Sequence, residues 1–577
     1  MADGVTINLP RWWALLLAGL LHGALLMLAF PPFDVWPLTF LMPLPLFWAA
    51  FRLGPKRVRR SLLVALGVIP TWWFQQSWLF DVAGLFYLLL ALYLSAYVWI
   101  FVLLMGAWRE RAGRLAGLPI ALVAAVLWVG LEVVKGRLLL NGYAWFLLPQ
   151  PLIALEALAA AASVVGTYGV SFLAALLIFG LAQVLGLAGG APGGGGRRRT
   201  GWVAIFASVA VWTGLSVVGA APQPKEDRQV RVGLVQTNVP QTNKDAAPFG
   251  DQVREFERFL QLTEQAAVDP KPELIVWPET MVIGPGLNGE SIEAYRRAKL
   301  FYNFNTPDGR PARIDATAFH DRLIETQARL GIPMLVGGRA NEGVTIGTEP
   351  DGRISSKVER PYNSALMIRG GVVEEARYDK MRLMAFGEYM PYVSAFPRLA
   401  DAIAGLGASG WTFVLKWGQT PTVFTLASGV RLVTPICFEA SMPDHIRFLA
   451  YGSGERRADL IVTLTNDGWF GTGIFGRPQH LQMSQWRAIE NGLPMVRSVN
   501  TGMAAVIDAR GRLLASLPQH QDGVLVYNVP LADADHQTLF GRMGDVAGWT
   551  MLALSALITG WTVRPRRSPA AVVGGIK

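Results

Sequence analysis

The sequence predicts a multi-pass α-helical membrane domain joined to a globular α/β domain on the outer side of the membrane. The chain of 577 residues is 52% hydrophobic and only 16% charged, which is typical of membrane proteins rather than of soluble enzymes. Apolar spans fill its first part and recur at its C-terminus. Between them, strand-like runs alternate with helical patterns, as they do in α/β domains.

Eight apolar spans are long enough to cross a bilayer as helices. They divide the chain into about seven N-terminal transmembrane helices in 1–222, a globular domain in 223–540, and a C-terminal helix with its tail in 541–577. Prolines in the second span predict a kink. The spans are predicted at 12–30, 36–51, 61–80, 82–107, 118–134, 157–187, 202–219 and 547–563.

Basic segments predict the orientation of these spans. Four of them follow the second, fourth, sixth and eighth spans, at 52–60, 109–114, 193–199 and 564–567. The positive-inside rule places all four in the cytoplasm, so both termini are expected inside and the globular domain outside. Lys135 and Arg137 are exceptions on the outer side. Membrane orientation also accounts for the net charge of +10, so nucleic acid is not expected as a partner.

Several polar residues follow strand-like runs, where open α/β sheets place their ligands. Glu279 ends "LIVWPE", Lys380 and Glu388 lie in "YDKMRLMAFGEY", and Cys437 and Glu439 lie in "TPICFE". Taken singly, each has an ordinary structural interpretation: a buried thiol, a capping carboxylate or a surface ion pair. One cysteine and six scattered histidines predict neither a disulfide nor a metal site.

Together, three of these residues have the chemistry of nucleophilic catalysis. Cys437 supplies a thiol, Glu279 can accept its proton, and Lys380 can stabilise an oxyanion. We expect Lys380 to lower the pKa of the thiol. The turn after the strand is expected to place the sulfur near a helix N-terminus, which also favours an anion.

The order Glu, Lys, Cys within "WPET", "YDKMRLMAFGEY" and "ICFE" resembles the nitrilase (carbon–nitrogen hydrolase) superfamily. The N-terminal spans, the last helix and the segment 465–502 resemble, within it, the bacterial apolipoprotein N-acyltransferases. This resemblance implies an αββα sandwich with Glu279, Lys380 and Cys437 as its triad. It also implies that Glu388 is a further glutamate of the active site and that Glu439 is the acidic residue after the nucleophile.

The sequence departs from the family pattern in three places. Asp245 stands where an aromatic residue is frequent, and Phe438 stands where tyrosine is frequent. The segment 285–318 is longer than usual. These departures affect expected substrate contacts and leave the triad intact.

The resemblance implies acyl transfer in two steps at the bacterial inner membrane, with the catalytic domain in the periplasm. Cys437 takes an acyl chain from a phospholipid as a thioester. The α-amino group of the diacylglyceryl-cysteine at the N-terminus of an apolipoprotein then accepts the chain, which gives ping-pong kinetics. No cofactor and no metal are expected, and a monomer suffices.

Aromatic residues near the triad are the expected contacts with lipid, either in mobile lids or in the apolar, proline-broken segment 140–151. They are Trp145, Trp411, Phe438, Trp469 and Phe470. Two alternatives remain: a membrane-tethered amidase acting on a small periplasmic amide, and a transporter or scaffold with an inactive nitrilase-like domain. The spans carry few ionisable groups beyond His22 and Glu132, which is unlike a transporter.

Overall fold

The computed structural model describes most of the chain at the level of individual residues. It covers residues 10–564 apart from 81–86, 112–117, 190–194, 221–227, 240–247, 307–308, 349–353, 386, 390–414 and 472. Trp411 and Asp245 lie outside these described residues.

Helices occupy all eight predicted apolar spans. Five of the described helices are long and apolar enough to cross a bilayer: those at 12–29, 87–110, 162–184, 196–219 and 546–563. The helices of this region are α1 (Trp12–Ala29), α2 (Leu44–Ala50), α3 (Arg57–Gln75), α4 (Tyr87–Arg111), α5 (Ile120–Val133), α6 (Glu156–Ala159), α7 (Ala162–Val184) and α8 (Gly195–Gly219).

The second predicted span is broken, as its prolines predict. A 3-10 helix at Trp36–Phe40 precedes α2, and Pro43 and Pro45 flank the start of that helix. The segment 139–149 contains no regular helix, and Lys135 at the end of α5 donates from Nζ to the carbonyl oxygen of Phe146, at 3.2 Å. Lys135 therefore holds this irregular segment in place.

Small residues allow α1 and α3 to cross at close range. Gly19 and Gly67 face each other at the crossing, where a side chain at either would overlap the backbone of the other helix. Membrane helices commonly use such residues, because lipid supplies little hydrophobic drive for their association.

The globular domain contains two six-stranded sheets. The first has the order β16-β1-β2-β5-β8-β9 and the second β10-β11-β12-β13-β14-β15, with two short hairpins outside them. The strands are β1 (Gln229–Gln236), β2 (Leu274–Val276), β3 (Phe301–Asn305), β4 (Pro311–Asp315), β5 (Met334–Glu342), β6 (Thr345–Thr348), β7 (Ile354–Lys357), β8 (Arg360–Arg369), β9 (Val372–Asp379), β10 (Phe424–Thr425), β11 (Arg431–Val433), β12 (Leu460–Thr465), β13 (Met495–Val499), β14 (Ala505–Ile507), β15 (Leu513–Ser516) and β16 (Gly523–Pro530).

The sheets pack face to face between two layers of helices. One core lies between the sheets, and a second lies between the first sheet and its helices, around Phe256 and Trp277. Ser498 ties the sheets together by donating to the carbonyl oxygens of Val235 and Val276, both at 3.0 Å. This is an αββα sandwich. Its helices are α9 (Phe249–Ala266), α10 (Gly289–Arg297), α11 (Ala318–Leu330), α12 (Pro443–Tyr451) and α13 (Gly476–Asn491), followed by α14 (Leu539–Met543) and the membrane helix α15 (Val546–Val563).

Helix α13 lies between the second sheet and the membrane helices. Gln479 Nε2 donates to Gln75 Oε1 at the end of α3, at 3.0 Å. Trp486 Nε1 donates to the carbonyl oxygen of Gln150, also at 3.0 Å. These buried contacts fix the sandwich against the membrane region through one shared helix.

The crossing of α1 and α3 predicts a position-specific loss of stability. Gly67→Leu forces overlap with the carbonyl oxygen of Leu16, so we expect it to cost about 1–3 kcal/mol and to lower the thermal midpoint in detergent. Gly214→Leu on α8 is the control, since no described atom lies within 4 Å of its Cβ position. Equal midpoints for the two variants would contradict this packing.

Candidate active site

Three strand ends bring the predicted triad to one edge of the sandwich. Glu279 follows β2 and Lys380 follows β9, which runs in the same direction because β5, β8 and β9 alternate. Cys437 follows β11 in the facing sheet. The carboxyl ends of these strands meet, and all three side chains line one cavity.

Lys380 lies buried between two carboxylates. Its Nζ is 2.8 Å from Glu388 Oε1 and 3.4 Å from Glu279 Oε1. Glu279 is held further by Asn363 Nδ2, which donates to Oε1 at 2.7 Å, and by the backbone N–H of Asn466, which donates to Oε2 at 2.9 Å. The carboxylate that is expected to accept a proton therefore has a fixed orientation.

The two carboxylates keep Lys380 charged. Burial by itself disfavours an ammonium, but Glu388 and Glu279 outweigh it, and the pKa of Lys380 lies above its ordinary value. At neutral pH the site therefore contains a permanent cation beside the thiol.

The thiol itself is not held as an anion. Burial, and then the negative charge of Glu279, raise the pKa of Cys437 above its ordinary value, and the opposing effect of Lys380 is smaller. Lys380 acts on this pKa in the expected direction, but the net shift is upward, so the expected lowering is wrong. The reason is that burial and the charge of Glu279 oppose an anion more strongly than Lys380 favours one. Cys437 also starts only a short 3-10 helix, Cys437–Ser441.

Glu439 lies behind the nucleophile and does not line the cavity. Its carboxylate accepts from the backbone N–H groups of Ile436, Met381 and Arg382, each at 2.8 Å, and from the hydroxyl of Tyr378. Burial alone would raise the pKa of Glu439, but His445 and these donors hold it below its usual value. Glu439 thus connects the turn of the nucleophile to the loop after Lys380.

A cavity of about 270 Å³ extends from the triad towards the membrane helices. Its polar end holds Glu279, Lys380, Glu388 and Cys437. The remaining wall is mostly apolar and comes from the membrane region, including Trp78, Leu79, Tyr87, Leu89, Leu90, Tyr93, Tyr143 and Trp145. A thiol at the end of an apolar cavity suits an acyl chain better than a small polar amide.

Four of the five predicted aromatic contacts line this cavity: Trp145, Phe438, Trp469 and Phe470. Trp145 stacks on Phe438 with ring centroids 6.2 Å apart, and Phe470 packs on Trp78 at 4.6 Å. The expectation that Phe470 is exposed on a lid is wrong, since it is 6% exposed. The membrane region covers it. The fifth residue, Trp411, is outside the described residues.

Sequence reasoning missed Asn363, which orients Glu279 from within β8. Asn363 is a polar residue within a strand, and the sequence around it does not indicate that its side chain contacts Glu279. Asn466 carries a usable signal, since it directly follows β12 just as other site residues follow their strands. Trp78 lies in a membrane span and carries no such signal.

Comparison with known proteins identifies the class of the globular domain and of the membrane region. Residues 231–537 match the family model of the carbon–nitrogen hydrolases, and this places the globular domain in that class. Residues 22–180 match the model of the apolipoprotein N-acyltransferase N-terminal domain. The amide-hydrolase fold is thus joined to a membrane region that is characteristic of one branch of the class.

Curated relatives identify that branch over nearly the whole chain. The apolipoprotein N-acyltransferase of Azotobacter vinelandii is 32% identical, with 98% of each chain covered, and that of Geobacter metallireducens is 28% identical, with 95% of each covered. The chain belongs to the apolipoprotein N-acyltransferase family and is a membrane-embedded acyltransferase. A crystal structure of an amidase from Nesterenkonia sp. also matches, with 18% identity, a TM-score of 0.33, and coverage of 56% of this chain and 98% of that one.

The raised pKa of Cys437 predicts how the resting enzyme reacts with a small alkylating reagent. Cys437 is the only cysteine of the chain, so the label reports on it alone. Below the pKa, the thiolate fraction and hence the alkylation rate rise about tenfold per pH unit, and we expect this rise to continue through about pH 9.

The unfolded protein is the control for this measurement. There we expect the rate to level off near the ordinary thiol pKa of about 8.5. A plateau below about pH 8 in the folded enzyme would show a stabilised thiolate and would contradict the arrangement of charges described above.

Proposed function

We propose that Cys437, Glu279 and Lys380 carry out the acyl transfer of this family, from a phospholipid to the α-amino group of a diacylated lipoprotein. The observation that carries the proposal is the buried Lys380 ammonium, bound to Glu279 and Glu388 and lining the same apolar cavity as Cys437. The geometry supplies a nucleophile, a proton acceptor, a cation and a volume for a hydrocarbon chain.

In the first half-reaction, Glu279 takes the thiol proton as the sulfur attacks the ester carbonyl carbon. The oxyanion is stabilised by Lys380 and by a backbone N–H of the turn after Cys437. The ester C–O bond then breaks, Glu279 returns the proton to the leaving oxygen, and lysophospholipid departs. Because the thiol is neutral at rest, this proton transfer accompanies the attack.

In the second half-reaction, the amine of the lipoprotein attacks the thioester carbon. Glu279 accepts the amine proton, the C–S bond breaks, and the proton returns to the sulfur. The products are an amide and the free thiol. Both half-reactions use Cys437 and Glu279 in the same cavity. The lysophospholipid must therefore leave before the lipoprotein enters.

The apolar wall favours this reaction over hydrolysis of a small amide by the same triad. α4 contributes Leu89 and Leu90 to the cavity, and Leu89 is 58% exposed on the outside of the helix bundle. A lipid can therefore reach the site from the side. Since one chain supplies both the triad and this wall, we propose that the monomer is active.

We propose that the catalytic domain, 223–540, is periplasmic and that both termini are cytoplasmic. α8 ends and α15 begins at the sandwich, so their other ends point away from it. Described basic residues lie on that far side of the membrane region. They are Arg57 at the start of α3, Arg109 near the end of α4, and Arg197 in the first turn of α8. Positive charge on the far side indicates that this side is the cytoplasm.

An acyl-enzyme on Cys437 is the first prediction of this mechanism. Mass spectrometry of protein incubated with phospholipid should show one added acyl group, absent from Cys437→Ala. Glu279→Gln should slow its formation by about 10²–10⁴-fold, since it cannot accept the proton. Lys380→Met should slow it by about 10²–10³-fold, since the oxyanion loses its cation.

Glu293→Gln is the matched control, because Glu293 is exposed and distant from the triad in α10. It should acylate at the rate of the unmodified enzyme. An equal amount of adduct on Cys437→Ala would contradict the proposal, and release of free fatty acid without transfer to a diacylated peptide would favour the amidase alternative.

The proposed orientation predicts opposite labelling of two introduced cysteines. In a Cys437→Ala background, Gly347→Cys on the β6–β7 hairpin should react with an impermeant maleimide on intact spheroplasts. Gly196→Cys in α8 should react only after permeabilisation. Both positions have open space around them, so access is the variable. The reverse pattern would place the sandwich in the cytoplasm.

A further inference from the structure

Cys437 has a backbone geometry that needs support. Its φ is 53°, in the left-handed region that residues with a Cβ rarely adopt. The direction of the Cα–Cβ bond, and so the position of the sulfur, depends on keeping this conformation. Contacts to the peptide groups of the turn are therefore part of how the nucleophile is aimed.

One such contact comes from His480 on α13. The side chain is buried, and its Nε2 lies 3.2 Å from the carbonyl oxygen of Cys437. A carbonyl oxygen only accepts hydrogen bonds, so Nε2 carries a proton and donates it. The mechanism above does not use this histidine.

The other ring nitrogen keeps Nε2 in the donor role. Nδ1 lies 3.0 Å from Asp467 Oδ1 and 3.3 Å from Arg497 Nη2. A neutral ring accepts from Arg497, and a protonated ring donates to Asp467, so Nε2–H faces Cys437 in both states. Burial, and then Arg497, lower the pKa of His480 below its ordinary value, which favours the neutral ring.

Thr465 extends these contacts beyond Asp467. Its hydroxyl donates to Asp467 Oδ1 at 3.0 Å, and Thr465 acts to lower the pKa of the Cys437 thiol. Thr465, Asp467 and His480 are all buried. They form a buried polar chain that leads from Thr465 through Asp467 and His480 to the carbonyl oxygen of Cys437.

We propose that His480 is a positioning residue for the acylation step: its Nε2–H holds the carbonyl of Cys437, and Arg497 and Asp467 hold Nδ1 of the imidazole, so that the sulfur is aimed at the acyl carbon. This rests on the proposed function, because it takes Cys437 as the acylated residue. His480 is not the proton acceptor, a role that belongs to Glu279.

Three substitutions at one position separate a positioning role from the alternatives. Gln places an amide N–H close to the position of Nε2, whereas Asn reaches only to the position of Nδ1 and Leu has no donor. In single-turnover acylation of full-length enzyme by phospholipid, we expect His480→Gln to stay within about threefold of the unmodified enzyme. His480→Asn and His480→Leu should fall by about 10–100-fold, with the phospholipid KM unchanged.

Alkylation of Cys437 by a small reagent gives the second readout. A positioning role leaves the pH dependence of alkylation unchanged in all three variants, because the thiol keeps its charged neighbours. If His480→Leu does not fold, as a lowered thermal midpoint would show, the comparison of Gln with Asn decides the question. Both are polar, and only Gln reaches the carbonyl.

Either of two outcomes would overturn the inference: equal acylation rates for His480→Gln and His480→Asn, or an altered pH profile of alkylation in His480→Gln. These outcomes are distinct from failure of the proposed function. If the unmodified enzyme forms no adduct on Cys437, the proposed function itself fails. If it forms the adduct and His480→Asn forms it equally fast, only the role of His480 is wrong.

Discussion

The buried ammonium of Lys380 is the constraint on which the rest of the site depends. A buried cation is tolerated only with compensating charge and hydrogen bonds, and Glu388 and Glu279 supply both. This requirement holds the ends of β2 and β9 together at one edge of the first sheet, and the backbone N–H of Asn466 ties Glu279 to the second sheet. Glu439 adds a second tie, since it binds the loop after Lys380 and the turn of Cys437 at once. Burial and the charge of Glu279 also leave the thiol neutral until a substrate arrives.

The membrane region is part of the active site as well as its anchor. The sandwich supplies the charged end of the cavity, while α4 and the irregular segment around Trp145 supply its apolar wall. Lys135 holds that segment through the carbonyl of Phe146. The reactive groups therefore belong to the sandwich, and the apolar wall beside them belongs to its junction with the membrane region.

The sequence predicted the spans and an α/β domain from hydropathy and alternation, the family resemblance implied the αββα sandwich, and strand-end polarity indicated the residues of the proposed triad. It did not predict the raised pKa of Cys437, which depends on how many charges meet in space rather than on the residues beside it. It also placed Phe470 on an exposed lid, whereas Trp78 covers it. Helix α13 shows the same limit. Its polar residues Gln479 and His480 face partners in the membrane region and the nucleophile turn, and no pattern within the helix identifies those partners.

The most direct test of the account is to find where the acyl chain lies once it is bound to the sulfur. A phospholipid with a diazirine on its acyl chain would be used to form the thioester, followed by irradiation and peptide mapping. The account predicts crosslinks in α4 around Leu89–Leu90 and in the segment around Tyr143. Crosslinks confined to the surfaces of α8 or α15, with none in these two segments, would contradict it.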